Sequence, residues 1–487
     1  MLLLCDDRKR HADNVYDSID ALNATRHITY KINPRGISMP GSLKLEDFDA
    51  VVIHWTLLAI SDHYLGPDWR EAIRVFNGVK IQLIQDDYRW IYRSAEMMRH
   101  MGIQVLYTVV HTTNLDRVWE PSVLPNVEKR SYLTGYVPNR LVNLRTKSTA
   151  ERTIDVGYRG RKVPYWLGKL GQEKLRIGQE FLSRASGLDL RCDIAWDENS
   201  RIYGDKWTAF LGSCRACLGT ESGSSIIDFD SSIQIGVDAY LQEHPQASFE
   251  EVYEQLLKDR DGKLVHSVIS PRVFEAASLR TALIMHPGPY NGIVEPWQHY
   301  IPLEKDFSNF DEVVRLVRDD DFITKLTARA YDDLIASRRY AFETHTADYT
   351  STLDRLFLTH TAAPNRVSNA VFAYRWRTKS LSRLLHKYRA HAKGYASRAA
   401  AKAVRILTPI YESVIAMPAN VSNYVRTQIR RATKTMYRVC AATPWLLIRD
   451  HIPTSLRSKL RRLRDDIRRR PSPPIPDDSE NTRRIAA

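Results

Sequence analysis

The chain has no uninterrupted apolar run long enough to cross a bilayer, although 43% of its 487 residues are hydrophobic. Its opening "MLLLC" meets "DDRKR" at once, unlike a secretory leader, so a cytoplasmic location is expected. Cysteine is scarce, with five in all, and "CRAC" at 214–217 has no second pair to complete a zinc site. The surrounding "AFLGSCRACLG" reads as a helix running into a buried strand, which places that pair in a core. No glycine-rich loop ends in Gly-Lys-Ser/Thr, excluding a P-loop. The dinucleotide fingerprint spacing is also missing, which counts against a dehydrogenase. A phosphoacceptor receiver would need an acidic residue at the end of its third strand, and His54 and Trp55 stand there instead. The one D-x-D spacing considered, Asp228-Phe229-Asp230, lies in a strand-to-turn stretch and is read as structural, so no metal is expected.

Charge is present but uneven. Residues 363–487 carry 27 of the 71 lysines and arginines against seven of the 57 acidic residues, so the first 362 residues hold 44 against 50. A mildly acidic body and a strongly basic tail predict two separate roles.

Residues 1–147 alternate short apolar runs ("MLLLC", "HITYKI", "AVVIHW", "KIQLIQ", "IQVLYTVV") with helical stretches, predicting a parallel sheet covered on both faces. Polar residues gather after the strand ends: Asp6, Asp7, Arg8 and His11, then His54, then Asp86 and Asp87, then His111. Open α/β sheets bind ligands at that edge. The polar stretch "VPNRLVNLRTKSTAERT" separates this unit from a second one, residues 148–360, that repeats the logic. The predicted fold class is therefore α/β, with two Rossmann-like doubly wound domains facing across a cleft.

Three stretches of the second unit carry candidate chemistry. "YRGRKVP" brings Arg159, Arg161 and Lys162 to a strand end, where they suit a diphosphate. "GTESGSS" offers Glu221, Ser222 and Gly223 in a small-residue loop that lets a ligand approach the backbone. "SPRVFEAASLRTALIM" starts a helix at Ser270-Pro271, with Arg272 and Glu275 on one face of its first turn. A helix start with an added cation is a seat for an anion. A surface ion pair is the alternative that spacing leaves open. His299, before the strand "HYIPL", is a further cleft candidate.

Together "DVGYRGR", "LGTESGSSIIDFD", "SPRVFEAASLRTALI" and "HYIPLEKDFSN" resemble bacterial glycosyltransferases of the CgeB-like, spore-maturation-protein type, with the two-domain GT-B fold. "IQDDYRW" and "LTGYVP" resemble the N-terminal domain of the same lineage. The resemblance covers about residues 1–355. It implies an acceptor domain at 1–147 and a nucleotide-sugar donor domain at 148–360, with the donor as a substrate and no cofactor. Arg272 is implied as a ligand of the donor diphosphate and Glu275 as a partner of ribose or sugar hydroxyls. The paired-glutamate motif of related retaining enzymes is incomplete, because Ser267 stands where its first member belongs. An inverting enzyme also needs a general base near the acceptor hydroxyl, and His11, His54, Asp86, Asp87 and His111 lie at that edge of the first sheet, with His11 the first choice.

The tail divides into a basic amphipathic helical extension, 361–470, and a Pro-rich end, 471–487, of disordered composition. Leu456, Leu460, Leu463 and Ile467 share a face among Arg457, Lys459, Arg461, Arg462 and Arg464. Residues 379–470 suit an anionic membrane surface. The expected function is transfer of a sugar from a nucleotide-activated donor to a glycan or lipid-linked acceptor, in cell-surface polysaccharide or glycolipid synthesis, with peripheral membrane attachment. A catalytically silent nucleotide- or sugar-binding protein is the alternative, as is a nucleic-acid-associated protein acting through its tail. The tail's aromatics are too sparse to favour nucleic acid.

Overall fold

The structure, a computed structural model, describes residues 1–8, 12–142 and 144–359. His11 and the tail segments 361–470 and 471–487 lie outside the described residues, and so does the membrane-surface expectation for 379–470.

The first lobe opens with β1 (Leu2–Leu4), α1 (Asp13–Asn23), β2 (Tyr30–Ile32), β3 (Ala50–Ile53) and α2 (Pro67–Val75). It continues through β4 (Val79–Ile84), α3 (Ile91–Met101), β5 (Val105–Thr108), α4 (Leu115–Val118) and β6 (Glu128–Ser131). All six strands pair in parallel, in the order β2-β1-β3-β4-β5-β6. Strands β1, β3 and β5 are fully buried apolar runs, as a sheet covered on both faces requires. The polar β6 ("EKRS") was not foreseen, because charged residues suit an edge strand and leave no apolar signal.

The second lobe contains β7 (Ile154–Arg159), α5 (Gly168–Arg184), β8 (Cys192–Ala195), α6 (Asp205–Ser213), β9 (Cys214–Gly219) and β10 (Ser222–Ser224). An excursion through α7 (Ser232–Glu243) and α8 (Phe249–Val252) returns to β11 (His266–Val268), α9 (Arg272–Ser278), β12 (Ala282–Met285) and β13 (Ile301–Pro302). Its five-stranded sheet is parallel in the order β13-β12-β9-β7-β8. The strand order reverses between β7 and β9, so the carboxyl ends of those two strands frame a crevice. The two doubly wound lobes facing each other form the GT-B architecture. They are tied together where the Tyr92 N–H donates to Phe229 O (3.0 Å) and the Asp228 N–H to Tyr88 O (2.9 Å).

Residue parity along the strands splits the second core. Ala216 and Leu218 pack with Tyr158, Phe181 and Val317, while Cys217, Leu283 and Met285 pack with Val273, Phe274 and Leu334. Cys214 and Cys217 are buried and unbridged, three residues apart on β9 and therefore on opposite faces.

Helices α10 (Phe310–Arg318) and α11 (Asp320–Tyr331) cover the second sheet, but α12 (Phe342–Thr359) does not. Its Tyr349, Leu353 and Leu356 join the core of the first lobe with Leu3, Val52 and Tyr107. A chain segment expected with residues 148–360 thus completes the first lobe, because its apolar stripe matches the uncovered face there.

Arg152, from the separating stretch, is buried in the second lobe. Its guanidinium donates to Cys214 O (2.6 Å), Leu279 O (2.7 Å), Arg280 O (2.9 Å) and Thr281 Oγ1 (2.7 Å), fastening β9 to the turn that enters β12. Arg152→Ala strands these acceptors at about 1–3 kcal/mol for each one left unsatisfied. Urea denaturation is expected to show a large fall in midpoint, and an unchanged midpoint would contradict this role.

Candidate functional site

The crevice at the ends of β7 and β9 holds a cavity of about 330 Å³. The β7–α5 loop contributes Arg159, Gly160 and Arg161, α5 contributes Lys174, and α6 with the loop before it contributes Tyr203 and Trp207. Thr220, Ser222, Arg272 and Glu275 complete the second-lobe wall, and Ala12, Asp13 and Asn14 at the start of α1 close the opposite side. The cavity therefore lies between the lobes, at the second sheet's switch point.

Arg272 is half-buried in the turn that begins α9. One of its terminal nitrogens donates to Leu218 O (3.2 Å) and the other to Arg159 O (2.7 Å). The guanidinium also lies over the rings of Tyr158 (4.8 Å) and Trp207 (5.5 Å). Its Nε is buried with no hydrogen-bond partner. Carbonyls and aromatic faces orient the group without cancelling its charge, so the surface ion pair left open by spacing is not formed. Glu275 instead accepts from Trp207 Nε1 at 2.8 Å, and burial pushes its carboxyl above the usual range.

Lys174 was not anticipated. It lies on the crevice with no described hydrogen bond or ion pair at its ammonium, and burial, then the nearby Arg161 and Arg272 charges, pull its pKa down to about 7. Arg161 is exposed on the same cavity and likewise has no described partner. Three cations thus share one crevice with no described ion pair, although Asp13 and Glu275 also line it, and such a cluster attracts a compact polyanion. Helix α9 has only seven residues, with Pro271 and not Ser270 at its N-cap, so these side chains, and not a helix terminus, supply the attraction.

Other expected residues are placed differently. Arg159 lines the crevice with its guanidinium paired to Asp193 (2.8 Å) and Ser200 O (3.1 Å), and its carbonyl holds Arg272. Glu221 is buried beneath the following loop, accepting from the Tyr290 N–H at 2.8 Å. Ser222 lines the crevice, whereas Gly223 is a rung of the antiparallel β10–β11 ladder, not of a loop. Its φ of +115°, and the 1.8 Å that would separate a Cβ from His266 O, demand glycine there. Asp87 is enclosed in the first lobe, accepting from Trp119 Nε1 (2.9 Å) and the Thr108 hydroxyl (2.5 Å), and burial lifts it to about 7. Asp86 is exposed, accepts from the Tyr88 hydroxyl at 2.8 Å, and lies near enough to Lys174 to act on its charge. His299 is remote from the crevice, bonded to Asp333 (3.2 Å) and the Glu295 N–H (2.9 Å). It precedes β13 and so sits at the amino edge of the sheet, opposite the ligand edge. Asp228 and Asp230 accept from backbone N–H groups at the start of α7. Among the described residues no cluster of three metal-ligating side chains occurs. No helix among them is long and apolar enough to cross a membrane.

No protein-family model and no curated protein matches the chain. Solved structures similar in outline include a T4 phage β-glucosyltransferase with its UDP-glucose substrate, 9% identical at a TM-score of 0.42, covering 73% of this chain and 99% of its own. Anabaena Alr3699/HepE in complex with UDP is 11% identical at 0.40, with coverage of 73% and 99%. TarM is 11% identical at 0.37, with coverage of 63% and 54%. At such identities and TM-scores the likeness is distant and assigns no substrate.

The crevice has a pH signature. Below about pH 7 Lys174 is protonated both free and bound, whereas above it the free protein sheds the proton first, since a bound anion raises the ammonium's pKa. Sulfate, which does not titrate in this range, is expected to bind more weakly as pH rises from about 7 to 9, with uptake of about one proton. Calorimetry in buffers of different ionisation enthalpy measures this. Lys174→Met should abolish the slope, and a pH-independent wild-type affinity would refute the assignment.

Proposed function

We propose that the crevice binds the diphosphate of a nucleotide-activated sugar and that the protein is a glycosyltransferase. The observation that carries this reading is the meeting of Arg161, Lys174 and Arg272, none of them in a described ion pair, beside the Glu275 carboxylate held by Trp207. As the bond from the anomeric carbon to the diphosphate oxygen breaks, its electron pair leaves with the diphosphate, and cations already in place stabilise that charge. The acceptor oxygen bonds to the same carbon, and its proton passes to a base. His11 is proposed for that role, next in the chain to Ala12 on the cavity wall. Glu275, with one oxygen fixed by Trp207, offers the other to ribose or sugar hydroxyls. The motifs of residues 154–310 support a place near the CgeB-like type, with the lobes divided near residue 148 into acceptor and donor domains.

A nucleoside diphosphate is expected to raise the melting temperature and bind measurably in calorimetry. Arg272→Ala should weaken it at least tenfold, about 1.4 kcal/mol. If no member of a panel of uridine, guanosine, adenosine, cytidine and thymidine diphosphates stabilises the protein, this function is wrong.

The basic tail supports an acceptor carried at an anionic membrane surface, as in cell-surface glycan or glycolipid synthesis. Full-length protein is expected to float with phosphatidylglycerol vesicles, and protein ending at residue 362 to remain behind while still binding nucleotide. Flotation unaffected by the truncation would remove the tail from this role.

A further inference from the structure

A second cavity, of about 250 Å³, lies at the carboxyl edge of the first sheet, where Val110, His111 and Asn114 after β5 face Val265, His266 and Pro289 of the second lobe. No aspartate, glutamate, lysine or arginine lines it, in contrast to the cationic crevice. Hydroxyl, amide and imidazole groups alternate there with the apolar faces of Val110, Val265 and Pro289. Its size falls below the 300–1,000 Å³ typical of drug-sized ligands, so it suits one small polar ring.

His266 sets the chemistry. It is only 3% exposed, and neither of its ring nitrogens hydrogen-bonds to a described residue, Nε2 being an unpartnered buried atom. Buried polar groups are nearly always satisfied, so Nε2 leaves one hydrogen bond open to a guest or a water. Burial holds the ring neutral, its pKa drawn down to about 4. A neutral imidazole has one donor and one acceptor, the match for hydroxyl groups and a poor one for phosphate or carboxylate. Ser222 lines the crevice and His266 the second cavity, and both stand on the short β10–β11 ladder, so the two cavities adjoin one element.

We propose that this cavity is a subsite for a neutral pyranose unit of the acceptor, with His266 bonding its hydroxyls. The identification as an acceptor subsite rests on the reading of the crevice as the donor site, and the cavity's own chemistry selects an uncharged sugar. Charged glycans are thereby disfavoured at the unit nearest the donor.

Full-length protein labelled with ¹⁵N-histidine tests this by NMR, with methyl glucoside, methyl galactoside, methyl mannoside and N-acetylglucosamine as probes. Glucuronate and glucose 6-phosphate serve as charged controls. At least one neutral probe is expected to shift the His266 ring nitrogens saturably, and the charged sugars to leave them unmoved. His266→Ala should weaken that sugar at least tenfold, and His266→Gln, which keeps a donor and an acceptor, should recover part of the loss. Nucleoside diphosphate binding, preserved in both variants, reports that each is folded. If no neutral sugar moves the His266 signals, if the charged sugars bind equally, or if His266→Ala binds unchanged, the subsite is refuted, whether or not nucleotide binds. Sugar binding that persists without any nucleoside diphosphate binding refutes the donor reading instead.

Discussion

Two peptide carbonyls, those of Leu218 and Arg159, orient the Arg272 guanidinium without neutralising it. A carboxylate in their place would hold the side chain equally well and cancel the charge. Because the carbonyls end β9 and β7, the geometry of the parallel sheet itself aims the cation at the crevice. Lys174 and Arg161 then add charge that no described ion pair offsets, and the pKa of Lys174 is lowered by burial first and by the neighbouring Arg161 and Arg272 second.

The remainder of the second lobe serves to hold that arrangement. Arg152 knots β9 to the entry of β12, Trp207 fixes Glu275, and Glu221 braces the loop beyond β12. The polar groups of the lobe thus divide into those spent on bonds within the fold and those left open to the cavities. Arg161, Lys174 and the free side of Glu275 belong to the second kind around the crevice, and His266 to the second kind around the neighbouring cavity.

Much of this was legible in the sequence, for definite reasons. Apolar runs bounded by polar residues predict a parallel sheet whatever the tertiary detail, and they located nearly every strand. Arg272 and Glu275 were found because a helix start sets their common direction. Lys174 was missed although a signal existed: it occupies the apolar stripe Leu170, Lys174, Ile177, Phe181 of α5, where a lysine must either be buried or serve a site. A strand end offers two directions, and the sequence does not reveal that Asp193 pairs with Arg159 or that Thr108 and Trp119 draw Asp87 into the core. His299 was placed on the wrong edge of its sheet, since a residue before a strand lies opposite one after it. The return of α12 to the first lobe depends on which surface lacks a cover, a tertiary fact no local pattern contains.

The most direct measurement is a crystal structure of the full chain with a nucleoside diphosphate bound. The account predicts both phosphates in the crevice, with oxygens at about 2.7–3.2 Å from Arg272, Lys174 and Arg161. A nucleotide seated elsewhere on the protein, or one in the crevice whose phosphates point away from those three side chains into solvent, would contradict it.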